Sequence, residues 1–355
     1  MGYGDEIMIT GYAKALKQKY PNHQIVSGNE KSGVVIDTII FNNNPNIKRF
    51  SKLKNTQTIW IDSYSGHRPY FIKETEEKYY WNINHKVAVG ELYFSEEEKQ
   101  FASNIISNAK EWWGKEKNIK YKKIIFIESS RIKTKKSNAS VNRNWGIEKW
   151  KSFINIYKNE YLFIQSVFHD SDLLDGIYKF KSGFRDACAV LKNCDYMIGV
   201  EGGFSHASAA VNKKGLFIYG GWIDPKFIGY SNHKNIYIDI QGSPCGMKIA
   251  CEHCKKCNDI MTVEMISKSF LEMISDLCGH SPPKIQLPKK PLYPIGYIFE
   301  IFARLFNLKN PMLTVDMIRM AEKKMFFSSE KAKKELNYRY KSAKIALKDA
   351  IQWFI

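Results

Sequence analysis

Apolar residues along the chain gather in short runs that alternate with stretches of helical period. IVSGN (25–29), VVIDTIIF (34–41) and TIWIDSY (58–64) predict the strands of a first unit. SEEEKQFASNIISNAKEWW (95–113) predicts a helix, with Ser95 as N-cap and Glu98 three residues on completing a capping box. KIIFIE (123–128), YLFIQSV (161–167), YMIGV (196–200) and LFIYGG (216–221) predict buried strands of a second unit. Helical segments at 147–158, 184–193 and 204–212 fall between them. Strand and helix alternating over two blocks predict two parallel-sheet α/β units. Ligands of such sheets lie at the carboxyl ends of strands, where loops meet helix N-termini. Near residue 281 the pattern changes. SPPKIQLPKKPLYP (281–294) holds five prolines in fourteen residues and reads as a linker. Only helical patterns follow, at 295–308, 314–324, 328–336 and 341–354.

A chain of 355 residues is long enough for two domains and an appendage. Hydrophobic content of 44% and charged content of 25% are ordinary for a globular protein. The longest apolar runs, such as 295–306, are broken by Glu300 and Arg304 and fall short of the roughly 18 apolar residues of a membrane span. The start MGYGDEIM has neither the basic nor the apolar region of a signal peptide, so a cytoplasmic protein is expected. The net charge of +18 changes this picture only in part. Residues 281–355 hold 15 Lys and Arg against 6 Asp and Glu, a net +9, half of the total. A basic surface favours anionic partners such as phosphorylated donors, acidic glycolipids or a membrane face. No aromatic-basic RNA-binding motif is present, so nucleic acid is not expected as a partner.

Four stretches carry candidate chemistry. VEGGFSHASAAV (200–211) follows the strand YMIGV, which puts Glu201 at a strand end and leaves Gly202 and Gly203 without side chains. The helix then opening near Ser205 offers N–H groups and a positive dipole end to a phosphate. Glu201 suits ribose hydroxyls, and His206 a phosphate or a sugar hydroxyl. The plainer alternative is a tight turn with a capping serine and a histidine that packs. RIKTKKSNASVNRNWGIEKW (131–150) carries five basic residues and no acid between Arg131 and Arg143, either a phosphate clamp or a solvated loop. Trp145 and Trp150 fit packing of the following helix better than ligand contact. Asp5 stands at the start of an amphipathic helix (1–16), as a general base or as an ordinary helix cap. CGMKIACEHCKKC (245–257) brings Cys245, Cys251, Cys254 and Cys257 together around His253. Such spacing permits zinc or an iron–sulfur cluster, but does not match the two separated pairs of a zinc ribbon. Loop packing serves equally, and these thiols stand as metal candidates only.

In this order, the segments GYGDEIMITGYAKAL, RNWGIEKW, FRDACAVLKNCDYMIGVEGGFSHASAAV, LFIYGG and SPCGMKIACEHC resemble glycosyltransferase family 9, the heptosyltransferase-like enzymes of lipopolysaccharide and surface-glycan assembly. The resemblance spans about residues 1–277. Glu201, Gly202, Gly203, Phe204, Ser205 and His206 are similar to the family's donor-site signature. The resemblance implies a GT-B fold of two Rossmann-like domains facing a cleft: an N-terminal acceptor domain (1–118) and a nucleotide-sugar domain (119–280). A Pro-rich linker and helical tail (281–355) would follow. It implies inverting transfer without a cofactor or a metal, Asp5 as base and Arg143 as donor-phosphate ligand. Three departures accompany it. The family has a strand before its Gly-Asp loop, whereas Gly4-Asp5 stands at the start of this sequence, so that either the chain starts late or that strand is missing; Glu and Arg stand at 201 and 143 in place of Asp and Lys; and the family does not require the tail. That tail resembles the C-terminal segment of extended short-chain dehydrogenase-type sugar epimerases. Its Tyr340-x3-Lys344 lacks any nucleotide-binding unit and is read as chance.

The expected activity is transfer of a heptose or related sugar from a nucleotide donor to a lipopolysaccharide or surface-glycan acceptor. It would take place in the cytoplasm, with peripheral contact at the inner membrane. The alternatives are a non-catalytic remnant acting as a binding module and a GT-B sugar-nucleotide epimerase.

Overall fold

The computed structural model describes residues 2–49, 57–62, 68–129, 139–168, 171–277, 289–305 and 314–322. Two compact units divide the chain, Met1–Ser281 and Pro282–Ile355.

The first unit opens with helix α1 (Tyr3–Lys19), which buries Asp5 through Gly11 and Ala13. Strand β1 (Gln24–Asn29) pairs in parallel with β3 (Thr58–Ile61) and antiparallel with the two-residue β2 (Val34–Val35). The strand expected over 34–41 therefore stops at Val35, and Ile39–Phe41 form a 3-10 turn. Thr38 caps that turn: its hydroxyl accepts the Ile40 N–H at 3.0 Å and donates to Glu6 at 2.5 Å. Parallel pairing in this half, expected throughout, is confined among the described residues to β1 and β3. A hairpin unsignalled by the sequence, β4 (Phe71–Glu74) and β5 (Tyr79–Trp81), completes the half.

Helix α2 (Glu96–Lys117) starts where its capping box places it, with Ser95 and Glu98 bonded reciprocally. Its buried face, Ala102, Ile106, Ala109 and Trp113, follows the three-to-four-residue helical period. Glu98 also receives the guanidinium of buried Arg185 on α5 (Phe184–Lys192), tying the two helices together.

The centre of the second half is a six-stranded parallel sheet: β6 (Ile124–Glu128), β7 (Leu162–Val167), β8 (Tyr178–Lys181), β9 (Tyr196–Val200), β10 (Gly215–Gly220) and β11 (His233–Tyr237). Their spatial order is β8-β7-β6-β9-β10-β11. Within this half, that is the doubly wound order 3-2-1-4-5-6, whose direction reverses between β6 and β9. The central strands are continuous apolar runs because helices cover both faces. On one face lie α4 (Ile147–Tyr157) and α9 (Val263–Leu277). Trp145, Trp150, Phe153 and Phe270 pack there, with Trp145 and Trp150 edge to face at 4.8 Å. On the other lie α5 and α6 (Gly203–Ala210). The mixed α/β architecture is the one expected, and β8 and β11 extend the parallel sheet beyond the four strands read from the sequence.

In the second unit, α10 (Lys289–Leu305) begins inside the stretch expected as a linker, and Pro294 lies within it. Helix α11 (Val315–Glu322) is capped by Glu300, whose carboxylate accepts the Val315 N–H at 2.8 Å. The helices expected at 328–336 and 341–354, and Tyr340 and Lys344, lie outside the described residues. No described helix is long and apolar enough to cross a membrane.

Candidate active site

The topology places VEGGFSHASAAV at the sheet's switch point. Glu201 follows the last residue of β9, next to the carboxyl end of β6, where doubly wound sheets bind ligands. Helix α6 starts at Gly203, two residues before the expected Ser205. Ser205 thus sits in the first turn, and its hydroxyl donates to the Gly202 carbonyl at 2.7 Å. An added side-chain carbon at Gly202 would meet nothing within 4 Å, so the backbone there is open to a ligand. Gly203 has another task. It lies against Phe184 and the start of α1, and Gly4 on α1 approaches its Cα closely. Phe204 is core, packed on Phe126, Phe168 and Phe184.

The approach of α1 to α6 brings Asp5 to this point. Asp5 is buried, and its Oδ2 accepts from Arg68 Nε at 2.9 Å and from the Gly2 N–H at 3.2 Å. Its Oδ1 accepts from the Tyr70 hydroxyl at 2.7 Å. Asp5 is therefore both a helix cap and the centre of a charged group. Burial, and then the Asp5 charge, push the Tyr70 phenol well above its ordinary pKa and keep it a neutral donor.

Between β9 and α6, Glu201 pairs with Arg143 at 2.8 Å, with Glu201 buried and Arg143 partly exposed. The Arg143 guanidinium lies over the Trp222 ring at 4.8 Å, a cation–π contact. Its Nε is buried without a hydrogen-bond partner. Burial disfavours the Arg143 charge, yet Glu201 outweighs it and the pKa is raised. The remaining basic residues of the predicted clamp, from Arg131 to Lys136, lie outside the described residues. His206 is buried, with Nδ1 at 2.8 Å from the Tyr230 hydroxyl, and burial lowers its pKa so that the neutral ring is favoured.

Asp5, Arg143, Glu201, Gly202 and His206 thus converge, while Phe204 faces the core. Sequence reasoning missed Arg68, Tyr70, Trp222 and Tyr230. Arg68 and Tyr70 lie 63 and 65 residues from Asp5. The available signal for these two was the basic-aromatic RPY following a strand, and for Trp222 it was the aromatic directly after LFIYGG.

Cys245, Cys251, Cys254 and His253 also gather, with their ligand atoms within 4.8 Å of one another. Cys257 stands beside His253, its Sγ 3.7 Å from Nε2.

Compared with known proteins, the sequence matches no family model and no curated protein. Solved structures do match. A glycosyl transferase family 9 protein of Veillonella parvula is similar over 78% of this chain and 95% of its own, at 13% identity and a TM-score of 0.52. The iron-containing dodecameric glycosyltransferase TibC of enterotoxigenic Escherichia coli is similar over 78% of this chain and 74% of its own, at 12% identity and a TM-score of 0.50. At such identities the likeness concerns the fold, and the fold of this chain is that of GT-B glycosyltransferases. The expected likeness of residues 281–355 to sugar epimerases finds no support in these comparisons.

Proposed function

We propose that this chain moves a sugar, a heptose or a related one, from a nucleotide donor to a hydroxyl of a lipopolysaccharide or surface-glycan acceptor, with inversion. The observation that carries the reading is the packing of α1, at the residue before Asp5, on the N-terminus of α6, beside which the Arg143–Glu201 pair stands at the switch point of the doubly wound sheet. The similar solved structures, described as glycosyltransferases, support it. In this reading the acceptor oxygen attacks the anomeric carbon and its proton passes to Asp5. The bond from that carbon to the diphosphate oxygen breaks, and the leaving diphosphate takes the electron pair. Arg143 and the N-terminus of α6 stabilise the departing charge. Glu201 takes the ribose hydroxyls, and the open backbone at Gly202 admits the nucleotide. Arg68 and Tyr70 aim the Asp5 carboxylate. Donor and acceptor of these classes place the protein in the cytoplasm, at the inner face of the membrane. The chain would also divide as an acceptor domain (1–118), a donor domain (119–280) and a tail (281–355).

Binding without transfer is the second reading, and the engagement of both Asp5 oxygens favours it. The two separate in one assay. Purified protein is incubated with nucleotide-sugars, with and without a glycolipid extract. Free nucleotide released only in the presence of acceptor supports transfer. Binding with no release under either condition and with the nucleotide-sugar unchanged supports the binding module, and conversion to an epimeric nucleotide-sugar, again without release, supports the epimerase.

A further inference from the structure

The cysteine loop plays no part in the proposed transfer, yet it is the densest group of ligating side chains among those described. Cys245 Sγ lies 3.8 Å from Cys251 Sγ and 3.1 Å from Cys254 Sγ. Nδ1 of His253 lies 3.9 Å from Cys254 Sγ. A tetrahedral ion with metal–sulfur bonds of about 2.3 Å holds its ligand atoms roughly 3.8 Å apart. Two of these separations match that edge, and a small side-chain rotation brings the third to it. All four cysteines of the loop are free thiols rather than disulfides. Cys251 caps α8 (Glu252–Ile260), and its sulfur accepts the Cys254 N–H at 3.4 Å.

We propose that Cys245, Cys251, Cys254 and His253 bind one tetrahedral, thiophilic divalent metal ion of the zinc class, which fixes the loop on which Trp222 and Asn142, the neighbour of Arg143, are anchored. Four protein ligands fill the tetrahedron, so the ion is structural and no coordination position is left for substrate. The geometry also shows what the ion fixes. Asn142, the neighbour of Arg143, donates to the carbonyls of Met247 at 2.9 Å and Ile249 at 2.6 Å and accepts the Cys251 N–H at 3.2 Å. Trp222, the platform under Arg143, donates its indole N–H to the Met247 carbonyl at 2.7 Å. Gly246 accepts the Tyr79 N–H at 2.8 Å, so the β4–β5 hairpin rests on the same loop. The ion would thus fasten the hairpin, Trp222 and Arg143 to one point.

The test is elemental analysis of the full-length protein, purified without chelator from medium containing zinc and iron, with thiols counted before and after a chelator. About one zinc or iron per chain is expected. Cys251→Ser should lose it, and Cys257→Ser, outside the ligand set, should keep it. Should Cys251→Ser fail to fold, the wild type still decides. Chelation should expose three further thiols to a colorimetric reagent and lower Tm, and added zinc should restore both. Less than about a tenth of an ion per chain, with the loop thiols reactive from the start, would overturn the proposal, as would a Cys245–Cys254 disulfide found by mass spectrometry. A metal retained by Cys251→Ser would overturn the ligand set. None of these results depends on whether the protein binds a nucleotide-sugar.

Discussion

Replacing Gly4 by Ala tests the contact that brings the two halves of the candidate site together. A methyl group at Gly4 would stand 2.8 Å from His206 Cδ2 and 3.2 Å from the Cα of Gly203, where ordinary contact begins at 3.4 Å. The imidazole must yield by about 0.6 Å, but it is buried and held by Tyr230. The other obstacle is backbone. Overpacking of this kind costs about 1–3 kcal/mol, while Ala in place of Gly within a helix gains at most about 1 kcal/mol, less so in a first turn. The net expectation is a loss of about 1–2 kcal/mol. Gly114 on α2 supplies the control, because it is exposed and a methyl there meets nothing within 4 Å. Gly114→Ala should therefore stabilise by roughly 0.5–1 kcal/mol from propensity alone. Urea unfolding followed by circular dichroism, with midpoints compared at constant m, reads both. Opposite signs are predicted. If Gly4→Ala stabilises the protein as Gly114→Ala does, α1 does not lie on α6 as described.

Three further predictions follow from the same geometry. Asp5→Asn keeps an acceptor for Tyr70 but not a base, so acceptor-dependent turnover should fall about 100- to 10,000-fold while donor Kd changes by less than a few-fold. An equal loss of binding and turnover would remove Asp5 from the chemistry. Arg143→Lys keeps a charge but not the fork or the Trp222 stack. Titration with a nucleotide diphosphate should show weakening of about ten-fold or more, and unchanged affinity would exclude Arg143 from the phosphate site. Burial lowers the pKa of His85, His206 and His233, the last to about 4. The unfolded chain then binds more protons than the folded one between about pH 6.5 and pH 4, so stability rises with pH across that window. His233 alone contributes about 3 kcal/mol of this rise. Buried Glu6, whose pKa is raised, opposes it above its ordinary 4.5. His233→Phe, placed against Phe217 at 4.6 Å, should flatten the dependence of Tm on pH, and an unchanged slope would refute the assignment.

What the sequence made legible was local. Ser95 and Glu98 stand three residues apart, so their capping box could be read directly, and the apolar runs of β6, β7, β9 and β10 reveal strands covered on both faces. Glu201 and Gly202 were legible because strand, turn and helix are contiguous there. The strand over 34–41 misled because its apolar run contains Thr38, whose hydroxyl caps the turn and bonds to Glu6, far off in sequence. Arg68, Tyr70 and Tyr230 reach the site only through tertiary folding and leave no periodic trace. The second role of Gly203, and the reason for Gly4, likewise appear only when α1 meets α6.

The central claim, a nucleotide-sugar site at the α6 N-terminus, is tested most directly by calorimetric titration of the purified chain with ADP-, GDP-, UDP- and CDP-sugars beside Arg143→Ala. The account predicts that one nucleotide class binds the wild type and that its affinity drops at least ten-fold in the variant. A folded protein that binds none of them, or one that binds equally well without Arg143, would contradict it.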